Sequence, residues 1–172
     1  PEEESRNRVK FYATQARDQA PHYEHTRIGY NYRLSNVCAG IGRGQMLSLP
    51  SFLEKRRGIH EEYRRRLSGV PGLSLLENPD SRYHSNHWLT CVQVNPEEAR
   101  FDRETLRLAL QKAGVESRPL WKPMHLQPVF RSCPFYGSGV SDRLFEEGLC
   151  LPSGASLAGE DMDRIIDVLL NL

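Results

Sequence analysis

The chain has 172 residues, a formal net charge of +1, 38% hydrophobic and 26% charged residues. That is enough apolar side chain for one good core, with room for an extra arm. It excludes bulk electrostatic attraction to nucleic acid, and no apolar run approaches the roughly 20 residues that span a bilayer. The start, Pro1-Glu2-Glu3-Glu4, is acidic and polar, unlike a signal peptide. With no initiator Met, a processed chain or a piece of something longer is expected. The cysteines, Cys38, Cys91, Cys133 and Cys150, form no C-x-x-C pair and read as reduced, buried thiols of a cytoplasmic protein.

In chain order, residues 2–16 are expected to form a short helix whose early glutamates suit the helix dipole. Residues 17–33 read as irregular, punctuated by Pro21 and Gly29. Ser35 is a plausible N-cap for a long helical stretch toward Leu67. Its apolar positions Val37, Ile41, Leu49, Phe52, Leu53, Ile59, Tyr63 and Leu67 recur at helical spacing. Pro50, inside it, removes a donor and crowds the preceding turn, which predicts a kink or break. Residues 87–94 are rich in β-formers and predict a strand. Residues 102–113 predict a helix opened by Asp102, with Leu106, Leu110 and Ala113 on one face. A strand over 115–120, a short helix near 141–147 and a strand over 149–151 follow. The last element, 159–170, is an amphipathic helix with Met162, Ile165, Ile166, Leu169 and Leu170 inward. The class is α+β: a small antiparallel or mixed sheet covered by helices, one of them long.

Three blocks place polar and aromatic side chains beside Gly or Pro, as a gripping surface does: Gly29–Asn36, Arg118–His125 and Cys150–Gly154. Asn31 and Arg33 flank Tyr32 just before a helix start, a corner suited either to a phosphate or merely to helix capping. Arg118, Trp121, Lys122 and His125 combine cations with an aromatic plate, which suits a ligand carrying both phosphate and a ring. The alternative is a Trp plug at a sheet edge among solvated charges. His84-x-x-His87 with Cys91, and His22-x-x-His25, have metal-ligand types, but the first runs into a strand where neighbours alternate faces; a metal is not expected. The loop Tyr136–Gly139 lacks the spacing of a dinucleotide fingerprint. The mixed charges over 54–66 indicate a solvated helix face more than an RNA surface.

Taken together, Thr14–Asp18, Pro21–His25, Gly29–Gln45, Arg118–Phe130 and Gly148–Gly154 resemble the C-terminal part of a DegT/StrS-type sugar aminotransferase dependent on pyridoxal 5'-phosphate (PLP). The block Arg118-Pro119-Leu120-Trp121-Lys122-Pro123-Met124-His125 is most similar to the branch that aminates C4 of UDP-linked 4-keto-6-deoxy-N-acetyl sugars, the UDP-N-acetylbacillosamine transaminases. The resemblance implies the small domain of a fold-type I homodimer, with residues 1–33 as the tail of the large cofactor domain and 34–172 as the small domain. It implies active sites at the subunit interface, glutamate as amino donor and a nucleotide-sugar acceptor. Asn31 would reach the PLP phosphate of the other subunit, Arg33 would shape the phosphate or nucleotide end, and Arg118, Trp121, Lys122 and His125 would lie by the nucleotide sugar. The segment bearing the family's PLP lysine does not occur here, so this chain alone is expected to be inactive. If that upstream position held histidine, a PLP-dependent sugar dehydratase would result; a stand-alone binding module is the third reading. An exposed apolar patch beside the Gly29–Asn36 arm is expected where the large domain would sit.

Overall fold

The computed structural model describes residues 2–172 and resolves two compact units, the first ending at Leu49 and the second running Pro50–Leu172. The boundary expected at residue 33/34 falls inside the first unit.

The first unit opens with α1 (Glu2–Ala13), which carries Glu2, Glu3 and Glu4 in its first turn. The helix stops short of residue 16 because Gln15 and Ala16 take positive φ, 67° and 50°, which a helix does not admit. The following loop folds back on the helix end. Tyr30 N–H donates to the Tyr12 carbonyl, Gln15 N–H to that of Tyr30, and Thr14 forms a β-bridge to Asn31. Gly29 is required at this approach: a Cβ there would stand 2.5 Å from the Ala16 nitrogen. Ala16 is the unit's buried apolar residue; Ile28, Tyr30, Leu34, Val37, Ile41, Met46 and Leu47 are all exposed. The expected apolar patch is therefore present along the arm and the start of the next helix.

That helix, α2 (Asn36–Leu67), is capped by Ser35, whose Oγ accepts the Cys38 N–H at 3.2 Å. It is helical on both sides of Pro50. The predicted break does not occur. Proline's fixed φ is itself helical, and what is lost is one donor toward Met46.

The second unit carries a four-stranded sheet: β1 (Leu73–Leu75), β2 (Thr90–Val94), β3 (Arg118–Pro119) and β4 (Gly148–Leu151), all antiparallel, in the order β1-β2-β4-β3. Register puts Leu73 opposite Val94, Val92 opposite Leu149 and Thr90 opposite Leu151, so one face is apolar. Against it lie Tyr63 and Leu67 of α2, Leu106 and Leu110 of α4 (Arg103–Lys112), and Met162, Ile165, Ile166 and Leu169 of α6 (Gly159–Leu170). A short helix, α3 (Pro96–Ala99), precedes α4, and α5 (Val140–Glu147) packs on β2 and β4. Single-turn 3-10 helices occupy Met124–Leu126 and Pro128–Phe130.

Asp102 caps α4 as predicted, its carboxylate accepting the Thr105 N–H at 2.8 Å. β2 starts at Thr90, not at residue 87, because His87 takes φ 45°, outside strand space. The strand predicted over 115–120 contracts to Arg118–Pro119, since β3 is an edge ending at a proline. Leu170 faces outward, half exposed, while its four predicted companions are buried. β1 was not expected; three residues between Gly72 and Leu76 carry too little periodicity to show. No helix of the described residues is long and apolar enough to cross a membrane.

Candidate active-site surfaces

In the second unit, β3, the end of β4 and α6 enclose a cavity of about 700 Å³. Its lip carries Trp88 and Trp121, the chain's two tryptophans, 59% and 67% exposed, with ring centroids 6.0 Å apart and planes tilted by 36°. Arg118 and Arg164 contribute guanidinium groups to the wall. Arg118 pairs with Glu116 at 2.6 Å and Arg164 with Asp161 at 3.0 Å, both largely exposed pairs that an incoming anion can exchange for at small cost. Exposed indole faces beside arginines on a partly apolar wall suit a planar, negatively charged ligand.

The structure thus brings Arg118 and Trp121 together, with Arg118 opposite Cys150 in the β3–β4 register. Lys122 is exposed and off the cavity wall; its carbonyl accepts from Gln127 at 3.5 Å. His125 stacks on Phe135, centroids 3.6 Å apart, and its Nε2 lies 2.7 Å from Asp142 Oδ1. The contact lies off a hydrogen-bond direction, so the buried Nε2 has no hydrogen-bond partner. Trp88 was missed as a site residue, hidden in what read as a strand; the pairing of the only two tryptophans across thirty-three residues of sequence leaves no local signal.

The Cys150–Gly154 block lines the cavity from Cys150 to Ser153 and also stitches its wall together. Ser153 is buried, its Oγ accepting the Thr90 N–H at 2.8 Å and donating to the Leu151 carbonyl at 2.9 Å. Arg56 of α2 ties the neighbourhood by donating to the carbonyls of Trp88 at 2.6 Å and Ser153 at 3.3 Å. Tyr63 donates to the Pro152 carbonyl at 2.9 Å, and burial pushes its phenol well above the ordinary range. Of the other arginines over 54–66, Arg57 donates to the Ser85 carbonyl at 3.2 Å, while Arg64 pairs with Glu61, Arg65 with Glu62 and Arg66 with Asp163. That leaves a charge-paired solvated face, as the mixed signs predicted.

The histidine motifs resolve into local contacts. His87 stacks on buried His60, centroids 3.7 Å apart; His60 reaches Glu77 at 3.3 Å and Thr90 Oγ1 at 3.4 Å. His22 pairs with Glu24 at 2.8 Å, and His25 Nδ1 meets the Gln15 carbonyl at 3.0 Å.

In the first unit, Asn31 Oδ1 accepts the Arg33 N–H at 3.2 Å, which fixes the side chain in a turn and orients its amide Nδ2 outward. Among the described residues neither Asn31 Nδ2 nor the Arg33 guanidinium has a hydrogen-bond partner in the structure, and both residues are exposed. An amide donor on a pinned loop with an arginine two residues on fits one end of a phosphate. Lys10, on the exposed surface of α1, is the only lysine of this unit.

Comparison with known proteins agrees with the geometry. The family model described as DegT/DnrJ/EryC1/StrS aminotransferase matches residues 1–170. EpsN of Bacillus subtilis (strain 168), named as a pyridoxal phosphate-dependent aminotransferase, is 38% identical over 169 residues, 96% of this chain and 42% of EpsN. GDP-perosamine synthase of Vibrio cholerae is 29% identical over 150 residues, covering 87% of this chain and 40% of its own length. The crystal structure of the aminotransferase TlmJ from Streptoalloteichus hindustanus superposes with a TM-score of 0.80 at 27% identity, over 98% of this chain and 44% of TlmJ. The chain spans about two fifths of the length of the curated relatives it matches.

Proposed function

Because this chain belongs to the DegT/DnrJ/EryC1/StrS aminotransferase family, we propose that it forms the C-terminal part of a PLP-dependent nucleotide-sugar aminotransferase. The reaction moves an amino group from glutamate to C4 of a UDP-linked 4-keto-6-deoxy-N-acetyl sugar, in a cytoplasmic homodimer. The observation that carries this reading is the match across residues 1–170, which includes both candidate surfaces.

PLP, when bound, supplies the electron sink and amino-group carrier. The residues of this chain fit its phosphate end only. Asn31 offers a free amide donor on a loop that Gly29 and the Thr14 bridge hold against the end of α1, and Arg33 adds a cation beside it. On this reading the family's PLP-lysine segment lies upstream of these residues, so the chain by itself would be inactive. In the second unit Trp121 and Trp88 stack the base of the nucleotide, and Arg118 takes a diphosphate oxygen in place of Glu116. His125 serves the same substrate after leaving Asp142, and Lys122, free in solvent, adds a mobile charge. The name of the Vibrio cholerae relative, a GDP-perosamine synthase, supports a nucleotide-linked sugar while leaving the base open; the UDP assignment rests on the Arg118–His125 block.

The test takes the native protein from its source. Intact mass is measured before and after borohydride reduction, alongside titration with UDP, GDP and dTDP read by tryptophan fluorescence. The reading expects a mass well above this chain, a PLP adduct fixed by reduction, and saturable quenching strongest with UDP. Trp121→Ala should weaken that binding about tenfold or more, as lost base stacking implies. A mass of 172 residues with no adduct overturns the enzymatic reading in favour of a binding module. Histidine found at the missing lysine's position would redirect it to the sugar dehydratase.

A further inference from the structure

Cys91 on β2 and Cys150 on β4 face each other in register, their sulfurs 3.8 Å apart. The Cys91 carbonyl accepts from Leu76 on the β1 side at 2.9 Å, and the Gly148 carbonyl, two residues before Cys150, accepts from Leu120 on the β3 side at 3.1 Å. Both backbones therefore bond outward, and the two cysteines form a non-hydrogen-bonded pair. In such a pair the Cα atoms lie about 4.5 Å apart and the side chains approach most closely. That falls within the roughly 4.4–6.8 Å a disulfide spans. The pair is also reachable: Cys150 lines the cavity below Trp88 and Trp121, and Cys91 is only partly buried. The Cys91 thiol leans on the Cys150 sulfur, which lowers Cys150 below an ordinary thiol and holds the proton on Cys91. Cys38 and Cys133, expected from the sequence to be buried, are instead exposed and have no sulfur neighbour among the described residues.

We propose that Cys91 and Cys150 are a redox-active dithiol that a peroxide closes into a reversible cross-strand disulfide in the cavity wall. The Cys150 thiolate attacks one peroxide oxygen. The O–O bond breaks, the leaving oxygen takes a proton and departs as water or an alcohol, and Cys150 becomes a sulfenic acid. The Cys91 sulfur then attacks the Cys150 sulfur; the S–S bond forms, the S–O bond breaks, and the departing hydroxide takes the Cys91 proton as water. Two thiols are oxidised by two electrons and one peroxide is reduced. A low-molecular-weight thiol reverses the step by attacking one sulfur through a mixed disulfide, and a second thiol completes the reduction.

The experiment treats the reduced native protein with increasing hydrogen peroxide, alkylates remaining thiols, and maps a non-reducing digest by mass spectrometry. The expected result is a cross-linked peptide pair containing residues 91 and 150, lighter than the two thiols by two hydrogens and absent after dithiothreitol. Cys91→Ala should instead leave Cys150 as an oxygen adduct. Recovery of both cysteines fully alkylated while Cys38 and Cys133 are oxidised would overturn the proposal. So would a link joining Cys150 to any other cysteine, or Cys150 oxygen adducts in the unsubstituted protein at every dose. Cys91→Ser replaces the alanine variant if that protein does not fold.

Discussion

The two units spend apolar side chains in opposite ways. From Pro50 onward, Tyr63, Val92, Val94, Leu106, Leu110, Leu149 and Ile166 are fully buried around one sheet face. Through Leu49, Ala16 is buried while Tyr30, Leu34, Val37, Ile41 and Leu47 stand in solvent. The second unit is held by its own core. The first is held by backbone hydrogen bonds between the end of α1 and the 29–32 loop. So many exposed apolar side chains in one short stretch mark a face suited to being covered. Sequence periodicity alone does not distinguish a helix side that packs within its own chain from one that waits for another surface.

The largest effect separates the units most sharply. Ile166→Ala deletes a fully buried side chain between α6 and the sheet and should lower the unfolding free energy by about 2–5 kcal/mol. Ile41→Ala removes a similar side chain from an exposed position and should change it by less than about 0.5 kcal/mol. Urea unfolding followed by tryptophan fluorescence reads Ile166→Ala, since Trp88 and Trp121 lie in the second unit, and far-UV circular dichroism, which also sees the helices of the first, reads Ile41→Ala. A large loss from Ile41→Ala in the isolated chain would erase the contrast.

An intermediate effect tests whether the arm is ordered by its backbone. Gly29→Ala places a Cβ 2.5 Å from the Ala16 nitrogen and 2.6 Å from the Gln15 carbonyl carbon. The loop must move away, at a cost of about 1–3 kcal/mol, and the Thr14–Asn31 bridge should open. Limited trypsin digestion should then cut faster after Arg17 and Arg27, while the urea midpoint of the second unit stays where it was. A midpoint that falls with the arm would show that the units unfold as one.

Legibility in the sequence followed the same divide. Where a pattern and its partner lie within one element, the reading held: Asp102 and Ser35 as caps, the buried face of α4, that of α6 apart from Leu170, and β4 within a residue. What failed depended on geometry set elsewhere. The β-forming neighbours of His87 predict a strand, yet its backbone is left-handed and its ring stacks on His60 of α2, distant in sequence. Of the kink or break that Pro50 predicts, the break does not occur, because its φ already suits a helix. At the candidate site, Arg118 and Trp121 were legible as a block, while Trp88 reaches the lip only through the β2–β4–β3 pairing. No short-range spacing encodes that.

The smallest effect concerns His87, and it sets an acid limit on the second unit. Burial disfavours its imidazolium, with the nearby charges of His60 and Arg57 acting in the same direction and Glu77 opposing them, so its pKa is held below the ordinary histidine value. The unfolded chain, titrating near 6.5, therefore binds a proton that the folded chain resists. Above that pH both states are neutral at this position and nothing is lost. As pH falls through about 6.5, the unfolded state gains protons first and stability declines, until the depressed folded value is passed and the decline levels off. His87→Asn keeps a side chain that tolerates the φ of 45° while removing the titrating ring. Urea midpoints compared between pH 7 and pH 5 should fall for the unsubstituted protein and fall less for His87→Asn. An identical fall in both would place the acid sensitivity outside His87.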